Sequence, residues 1–383
     1  MTQHATDRPL RIVHVFRSPV GGLFRHVLDV ARGQAELGHH VGILCDASTG
    51  GERAATALEE LKPRLDLGLR RIAMGRNPGL SDLAATRAVR VFVEEAKPDI
   101  VHGHGSKGGA YARVPRLIDR NWPATVYTPH GGSFHYTTKS VSARAYMAAE
   151  TMLARSTDIF LIESDYIARL ARPVIGEKAS QRIRVVRNGV STAEFKPVPL
   201  EQDAGDLLYI GELRVLKGID VLLRAVAQIA AGGRELSLLI VGAGPDERQL
   251  HDLVAELGLG NQVRFSPPQP IREALGQAGL MIVPSRAESL PYVVIEATAA
   301  AHPLVATNVG GIPEIFGPFA DRLVPPDDSE ALADAIEQLL SMPAPEKTEQ
   351  AEALAGYVRE NFSISEMVAG VLSGYREALT YRT

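Results

Sequence analysis

Residues 280–301 read LMIVPSRAESLPYVVIEATAAA. An apolar run, Leu280 to Val283, gives way to Pro284-Ser285-Arg286-Ala287, then to Glu288, then to Ser289-Leu290-Pro291. The remainder has helical composition and carries a second acid, Glu296. This pattern predicts strand, turn and helix, with Pro291 in the first helical turn, where a missing N–H costs nothing. A helix N-terminus after a strand presents unpaired N–H groups and a positive dipole end, a seat for phosphate. One acid stands just before that seat and the other more than one turn into the helix. Two readings stay open on these residues alone: a phosphate-bearing ligand held at several points, or two unrelated surface acids.

Working outward, short apolar runs alternate with helical patterns along most of the 383 residues, which argues for parallel sheets built from βαβ units. In the first half the expected strands are 11–16, 41–45, 71–74, 99–104, 125–128, 159–163 and 183–187. In the second they are 207–210, 236–241, 263–265, 280–283 and 304–307. Helices are expected from 23 to 37, from a Ser81 cap to 96, from 219 to 230, and at 328–341, 346–360 and 364–380. Asn188-Gly189 is a turn signal, and the irregular stretch onward to Gly205, with Pro197 and Pro199, reads as a linker. The expected organisation is therefore α/β. A doubly wound domain covers residues 1–190 and a second covers 191–360. Residues 361–383 form a helix returning to the first domain.

Charge is unevenly divided. The net value is −4, yet residues 1–190 hold 27 Lys and Arg against 18 Asp and Glu, and the remainder 14 against 27. A basic first half suits an anionic membrane surface or a phosphate-bearing partner, or simply complements an acidic second half. No basic helix with interleaved aromatics supports nucleic-acid binding. The single Cys45 excludes a disulfide framework and a cysteine-based zinc site, and favours a reducing compartment. Residues 1–10 lack an apolar signal core, and no run approaches 18 apolar residues. A cytoplasmic protein is expected, with peripheral contact to a membrane as an open possibility of the basic half.

Glycine-rich strand ends carry the remaining signal. Gly21-Gly22 follow the first strand and permit close backbone approach to a ligand. Gly105-Ser106-Lys107-Gly108-Gly109 lacks the P-loop spacing. His102 and His104 share a strand face, but two histidines without an acid or cysteine nearby make a weak metal case. His130, at the carboxyl end of a strand, points to the ligand crevice of such a sheet. The dinucleotide fingerprint is missing, because Gly21-Gly22 has the wrong spacing and Gly242-Ala243-Gly244 lacks a third glycine; a nicotinamide dehydrogenase is excluded. Gly211 to Gly218 carries Arg214 and Lys217, cations suited to a diphosphate. No acidic cluster is placed to hold Mg²⁺ between phosphates, since Pro326-Asp327-Asp328 reads as a helix-start cap.

Taken together, these segments resemble the retaining family-4 glycosyltransferases of GT-B fold over nearly the whole chain. The resemblance rests on Val20-Gly21-Gly22, Asp99 to His104, Thr128-Pro129-His130-Gly131, Arg187-Asn188-Gly189-Val190, Gly211 through Lys217-Gly218, Val241 to Pro245, and the Glu288–Glu296 spacing followed by Val309-Gly310-Gly311-Ile312-Pro313-Glu314. It implies two Rossmann-like domains facing across a cleft, and sugar transfer from a nucleotide-diphosphate donor with retention, without metal or other cofactor. It further implies that Glu288 contacts the donor sugar and Glu296 the ribose. Lys217 and the backbone of Ser289, Leu290, Pro291 and Tyr292 hold the diphosphate, with Gly242 and Gly244 in the donor site. Gly21 and Gly22 approach the phosphate, and His130 lines the sugar and acceptor side. The acceptor is a glycan, lipid-linked or small-molecule hydroxyl, as in polysaccharide biosynthesis. One position departs from the pattern: Glu212 stands where the family has Arg, and Arg214 is the nearest replacement. A same-fold nucleotide-sugar epimerase or phosphorylase, and a non-catalytic nucleotide-sugar-binding subunit, are the competing expectations.

Overall fold

The computed structural model describes residues 8–135 and 141–382. Most of residues 1–10, inspected above for a signal core, lies outside the described residues. The chain divides into two compact units. One runs to Asn188 and takes back the chain from Ile364 onward; the other is Gly189–Ser363.

In the first unit the runs of β-branched and aliphatic residues become seven parallel strands: β1 (Arg11–Phe16), β2 (His40–Asp46), β3 (Gly68–Ile72), β4 (Ile100–His104), β5 (Ala124–Thr128), β6 (Ile159–Ile162) and β7 (Ile183–Val185). Their order is β3-β2-β1-β4-β5-β6-β7. Continuous rather than alternating apolar sequence is what a sheet covered on both faces requires, and β1, β4 and β5 are buried almost throughout. Chain order reverses between β1 and β4, so the crevice at their carboxyl ends is where such a sheet takes ligands. The strand expected at 71–74 forms earlier, at Gly68–Ile72, and pairs with β2 from Gly42 to Asp46.

The glycines after β4 have a packing role. Gly105–Arg113 is a helix lying directly on the sheet. A Cβ on Gly108 would sit 2.4 Å from the Val15 carbonyl oxygen, and one on Gly109 would sit 2.2 Å from the Tyr127 ring. Below it, fully buried Arg113 stacks on Tyr127, 3.7 Å from the ring centroid. Its charge is met by Glu150 at 2.8 Å, whose other oxygen accepts from the Tyr127 hydroxyl at 3.0 Å. A buried guanidinium persists only when paired and hydrogen-bonded in this way. Ser81 is not a cap: the helix Ser81–Ala96 has Leu80 at its N-cap without a side-chain bond, while Asp82 accepts from the Gly79 N–H at 3.0 Å.

The last helix, Ile364–Thr380, belongs to the core of this first unit. Met367, Val368, Val371, Leu372, Tyr375 and Ala378 pack with Ile12, Val30, Ile100, Val126 and Leu161.

The second unit contains β8 (Gly205–Ile210), β9 (Leu238–Val241), β10 (Val263–Ser266), β11 (Ala278–Val283) and β12 (Leu304–Ala306), all parallel, in the order β10-β9-β8-β11-β12. Here chain order reverses between β8 and β11. The stretch read as a linker is part of this unit. Val190 is in its core, Ser191 and Glu194 form a capping box on the short turn Thr192–Phe195, and Arg272 donates to the carbonyls of Glu194 and Lys196. Asp328 caps the helix Ser329–Ser341 by accepting from the Ala331 N–H at 2.9 Å.

Candidate active site

At the switch point of the second unit, four strand-end loops converge because glycines let their backbones touch. Gly218 has φ +67°, and a Cβ there would lie 1.9 Å from the Pro284 carbonyl oxygen. Gly310, at φ +61°, would place one 1.8 Å from the Glu288 carbonyl oxygen. Cβ atoms on Gly242 and Gly244 would meet the carbonyl oxygens of Gly211 and Leu213 at 1.9 and 2.1 Å. The close approach at Gly242 and Gly244 is thus to the chain itself.

Arg286 ties the loops together. It makes two parallel bonds to Asp220, at 2.7 and 2.8 Å, and reaches Asp327 and the Val215 carbonyl at 2.5 Å each. Its N–H donates to the Leu216 carbonyl at 2.9 Å. Such a fork holds a planar guanidinium in one geometry, and the Asp220 bond raises its pKa still further. Reading the sequence overlooked this residue, although it lies inside the quoted stretch.

Glu288 is only 9% exposed. One carboxylate oxygen accepts from the Ser285 hydroxyl at 2.7 Å and from the Lys217 ammonium at 2.6 Å. Ser285 is anchored in turn, its carbonyl accepting from the Thr307 hydroxyl at 2.6 Å. Lys217 and Glu288 are therefore brought together across the switch point, the ammonium still partly exposed and with two N–H donors unspent among the described residues. Pro291 occupies the N-cap position of the helix Tyr292–Ala299, one place before the first turn, and this helix has no side-chain cap. Ser289 and Glu296 are half-buried; Leu290, Pro291 and Tyr292 are buried. Arg214 lies apart from the Lys217–Glu288 pair. Its Nε is 3.7 Å from Glu212, and it lines a groove with Asp220, Asp246 and Asp252.

At the switch point of the first unit, Gly21 and Gly22 are the first two residues of the helix Gly21–Glu36, not a loop before it. Gly21 needs its φ of +63°, and the space where its side chain would be is open. His130 also has positive φ, +50°, an uncommon state for a non-glycine residue and one that concentrates at functional sites.

Sequence spacing missed what surrounds it. Strand register sets His14 beside His102, and the fold adds buried His26 and His104 and half-buried His130 to one cluster. Gln34 orients it: its amide donates to Tyr375 at 3.3 Å, and its oxygen accepts from the His14 Nε2–H at 2.9 Å. The His14 Nδ1 then accepts from His104 Nε2–H at 2.9 Å, leaving the His104 Nδ1 lone pair facing Nε2 of His130 at 3.1 Å. Tyr375 donates to His102 Nδ1 at 2.7 Å, whose Nε2–H donates to Thr128 at 2.9 Å. His26 Nδ1–H donates to Asn188 at 3.1 Å. Burial holds all five rings neutral: the pKa of His14 and of His26 falls to about 4, and those of His102, His104 and His130 well below the usual imidazole range.

Beside this cluster lies a cavity of about 750 Å³ lined by Arg17, Ser18, Arg76, Ser106, Lys107 and Tyr111 among others. Lys107 is held by Asp82 at 2.5 Å, whereas Arg17 has no ion-pair partner among the described residues.

Two Rossmann-like units, each with its loops gathered at a switch point, define a GT-B protein. Solved structures agree. Sucrose-phosphate synthase from Thermosynechococcus elongatus superposes with a TM-score of 0.80 at 22% identity, over 97% of this chain and 100% of that one. Anabaena HepE, solved with UDP-glucose, gives 0.77 at 20% identity over 95% and 99%. Residues 20–194 match the family described as Glycosyltransferase Family 4, and residues 190–360 match Glycosyl transferases group 1. The D-inositol 3-phosphate glycosyltransferase 1 of Catenulispora acidiphila is 30% identical over 99% of this chain and 98% of its own length. That of Saccharomonospora viridis is 30% identical over 75% and 72%. The chain belongs to the family-4 glycosyltransferases and is a glycosyltransferase enzyme.

The histidine cluster makes stability depend on pH. Folded-state pKa values lie below the unfolded value of 6.5, so the cluster's contribution is complete above that value and is lost as pH falls from 6.5 toward 4. The urea midpoint is expected to drop steadily between pH 7 and pH 5; a midpoint unchanged over that range contradicts the neutral, buried cluster.

Proposed function

We propose that the chain is a retaining, metal-independent glycosyltransferase using a nucleoside-diphosphate sugar. The observation that carries this reading is the buried Glu288 carboxylate paired with Lys217 at 2.6 Å at the second unit's switch point. In this reading Glu288 accepts hydrogen bonds from donor sugar hydroxyls and Glu296 from the ribose. The two remaining Lys217 donors and the helix start after Pro291 take the diphosphate. The bond from the anomeric carbon to the phosphate oxygen breaks as the acceptor oxygen bonds to the same face, and the acceptor proton passes to the departing phosphate. Such a step needs charge stabilisation and positioning more than a separate base. Arg214, engaged with Glu212, is the weaker of the two cations offered to the phosphates.

For the acceptor, the cavity with Arg17, Arg76 and two serines suits a small polyol carrying phosphate, and the curated relatives are named for D-inositol 3-phosphate. His130, with its strained backbone, is the residue proposed to line the sugar. A lipid-linked acceptor is the second reading. It is favoured by exposed Leu80, Leu83, Leu117 and Ile118, with Arg87 and Arg120 on the same segments. No helix among the described residues is long and apolar enough to cross a membrane, so this contact would be peripheral.

Three measurements test these assignments. Lys217→Met and Glu288→Gln are each expected to lower kcat by about 10²–10³-fold with unchanged circular dichroism; wild-type turnover in both removes the donor site. Arg17→Ala is expected to raise KM about tenfold for a phosphorylated polyol and leave an unphosphorylated one unaffected; equal effects on both exclude a phosphate contact there. Co-sedimentation with anionic vesicles at low salt and release at high salt would support the peripheral reading, while failure to bind at low salt ends it.

A further inference from the structure

Within the first unit, one ring nitrogen from each of His26, His104 and His130 lies within 4.8 Å of the others, with Nδ1 of His104 facing Nε2 of His130 at 3.1 Å. We infer that His26, His104 and His130 form a binding site for a first-row transition-metal dication of the zinc class.

The decisive observation is His26. Its ring is buried, its Nδ1 is spent on Asn188, and its Nε2 has no hydrogen-bond partner among the described residues. A buried polar atom left without a partner calls for an explanation, and an absent ion is one. The Asn188 oxygen only accepts, so Nδ1 carries the proton and the unpartnered Nε2 presents a lone pair. His104 is prepared in the same manner. The Gln34–His14 chain holds the proton on its Nε2 and leaves Nδ1 bare toward His130. Both rings therefore have the outer hydrogen bond that metal-ligating histidines use to fix tautomer and orientation. His130 needs only to shift its proton from Nε2 to Nδ1, and it is the one member of intermediate burial.

Spacing is compatible. Zinc binds imidazole nitrogen at about 2.0–2.1 Å in tetrahedral geometry, so the outermost atoms must close by up to about 1.5 Å, within reach of ring rotations. Three neutral imidazoles with no carboxylate select Zn²⁺, Co²⁺, Ni²⁺ or Cu²⁺ over Mg²⁺ and Ca²⁺. His14 and His102 fit less well, because both nitrogens of each ring are already bonded within the protein. The site lies within the first unit; an ion there would engage His130, the residue proposed above to line the sugar, while the proposed transfer step itself proceeds without a metal.

The test is titration of the metal-stripped full chain with Zn²⁺ by calorimetry and with Co²⁺ by visible absorption. One equivalent is expected, with the intense d–d bands of low-coordinate Co²⁺, and no response to Mg²⁺. His26→Ala should weaken Zn²⁺ binding at least about tenfold, while His302→Ala, a buried histidine in the other unit, leaves it unchanged. X-ray absorption of the wild-type zinc complex should show three imidazoles, a readout that stands even if a variant fails to fold. No stoichiometric binding, equal affinity in wild type and His26→Ala, or fewer than three imidazoles at the zinc each overturn the site.

Discussion

A single buried ion pair, Glu288 to Lys217, organises the second unit's site, and it exists only because two backbones are allowed to touch. Were Gly218 or Gly310 any other residue, its Cβ would lie within 2 Å of a carbonyl oxygen of the loop that carries Glu288. Both also sit at positive φ, where side chains are strained. The loops therefore close on each other and bury the carboxylate. A charge so placed must be paired and hydrogen-bonded, which Lys217 and Ser285 accomplish from opposite sides of the switch point. Arg286, locked by Asp220 and Asp327, holds the two loops in register while leaving Lys217 donors available. The same packing leaves the cation and the acid assembled side by side, which is the arrangement the proposed donor site uses.

The first unit meets a different constraint. Its sheet brings histidines from β1 and β4 onto one face, joined by His130 just past β5 and by His26 from the helix after β1. Five imidazoles in one apolar interior cannot all be charged, and hydrogen bonds through Gln34, Tyr375, Thr128 and Asn188 arrange them as neutral donors and acceptors. Tyr375 comes from the last helix, so the return of the chain to this unit is needed to complete the network. The neighbouring cavity inherits its basic character from Arg17, Arg76 and Lys107, which gives a structural location to part of the positive surplus of residues 1–190.

Much of the architecture could be read from sequence because parallel strands buried on both faces are written as uninterrupted aliphatic runs; β1 and the final helix fall where their patterns predict. Ends were less legible where side-chain chemistry did not decide them. Ser81 resembles a cap, yet the chain turns one residue earlier, and Gly21-Gly22 resembles a loop although the helix begins with it. Gly108 and Gly109, whose spacing does not fit a P-loop, let a helix lie against β1 and Tyr127. Glu288 and Lys217 were found by motif, whereas Arg286 was not, since an arginine in a turn has no spacing signature of its own. The histidine cluster was invisible for a deeper reason. His14, His26, His104 and His130 are joined by strand register and helix return, and no local periodicity encodes that. His102 and His104 alone looked like a pair without an acid or cysteine nearby.

The account's central claim is that the Lys217–Glu288 pair is the seat of an activated sugar. A crystal structure of the protein grown with a nucleoside-diphosphate sugar tests it most directly. The account predicts diphosphate oxygens within hydrogen-bond distance of the Lys217 ammonium and a sugar hydroxyl on the free oxygen of Glu288. Donor density located elsewhere, with Lys217 and Glu288 still closed on each other, would contradict it.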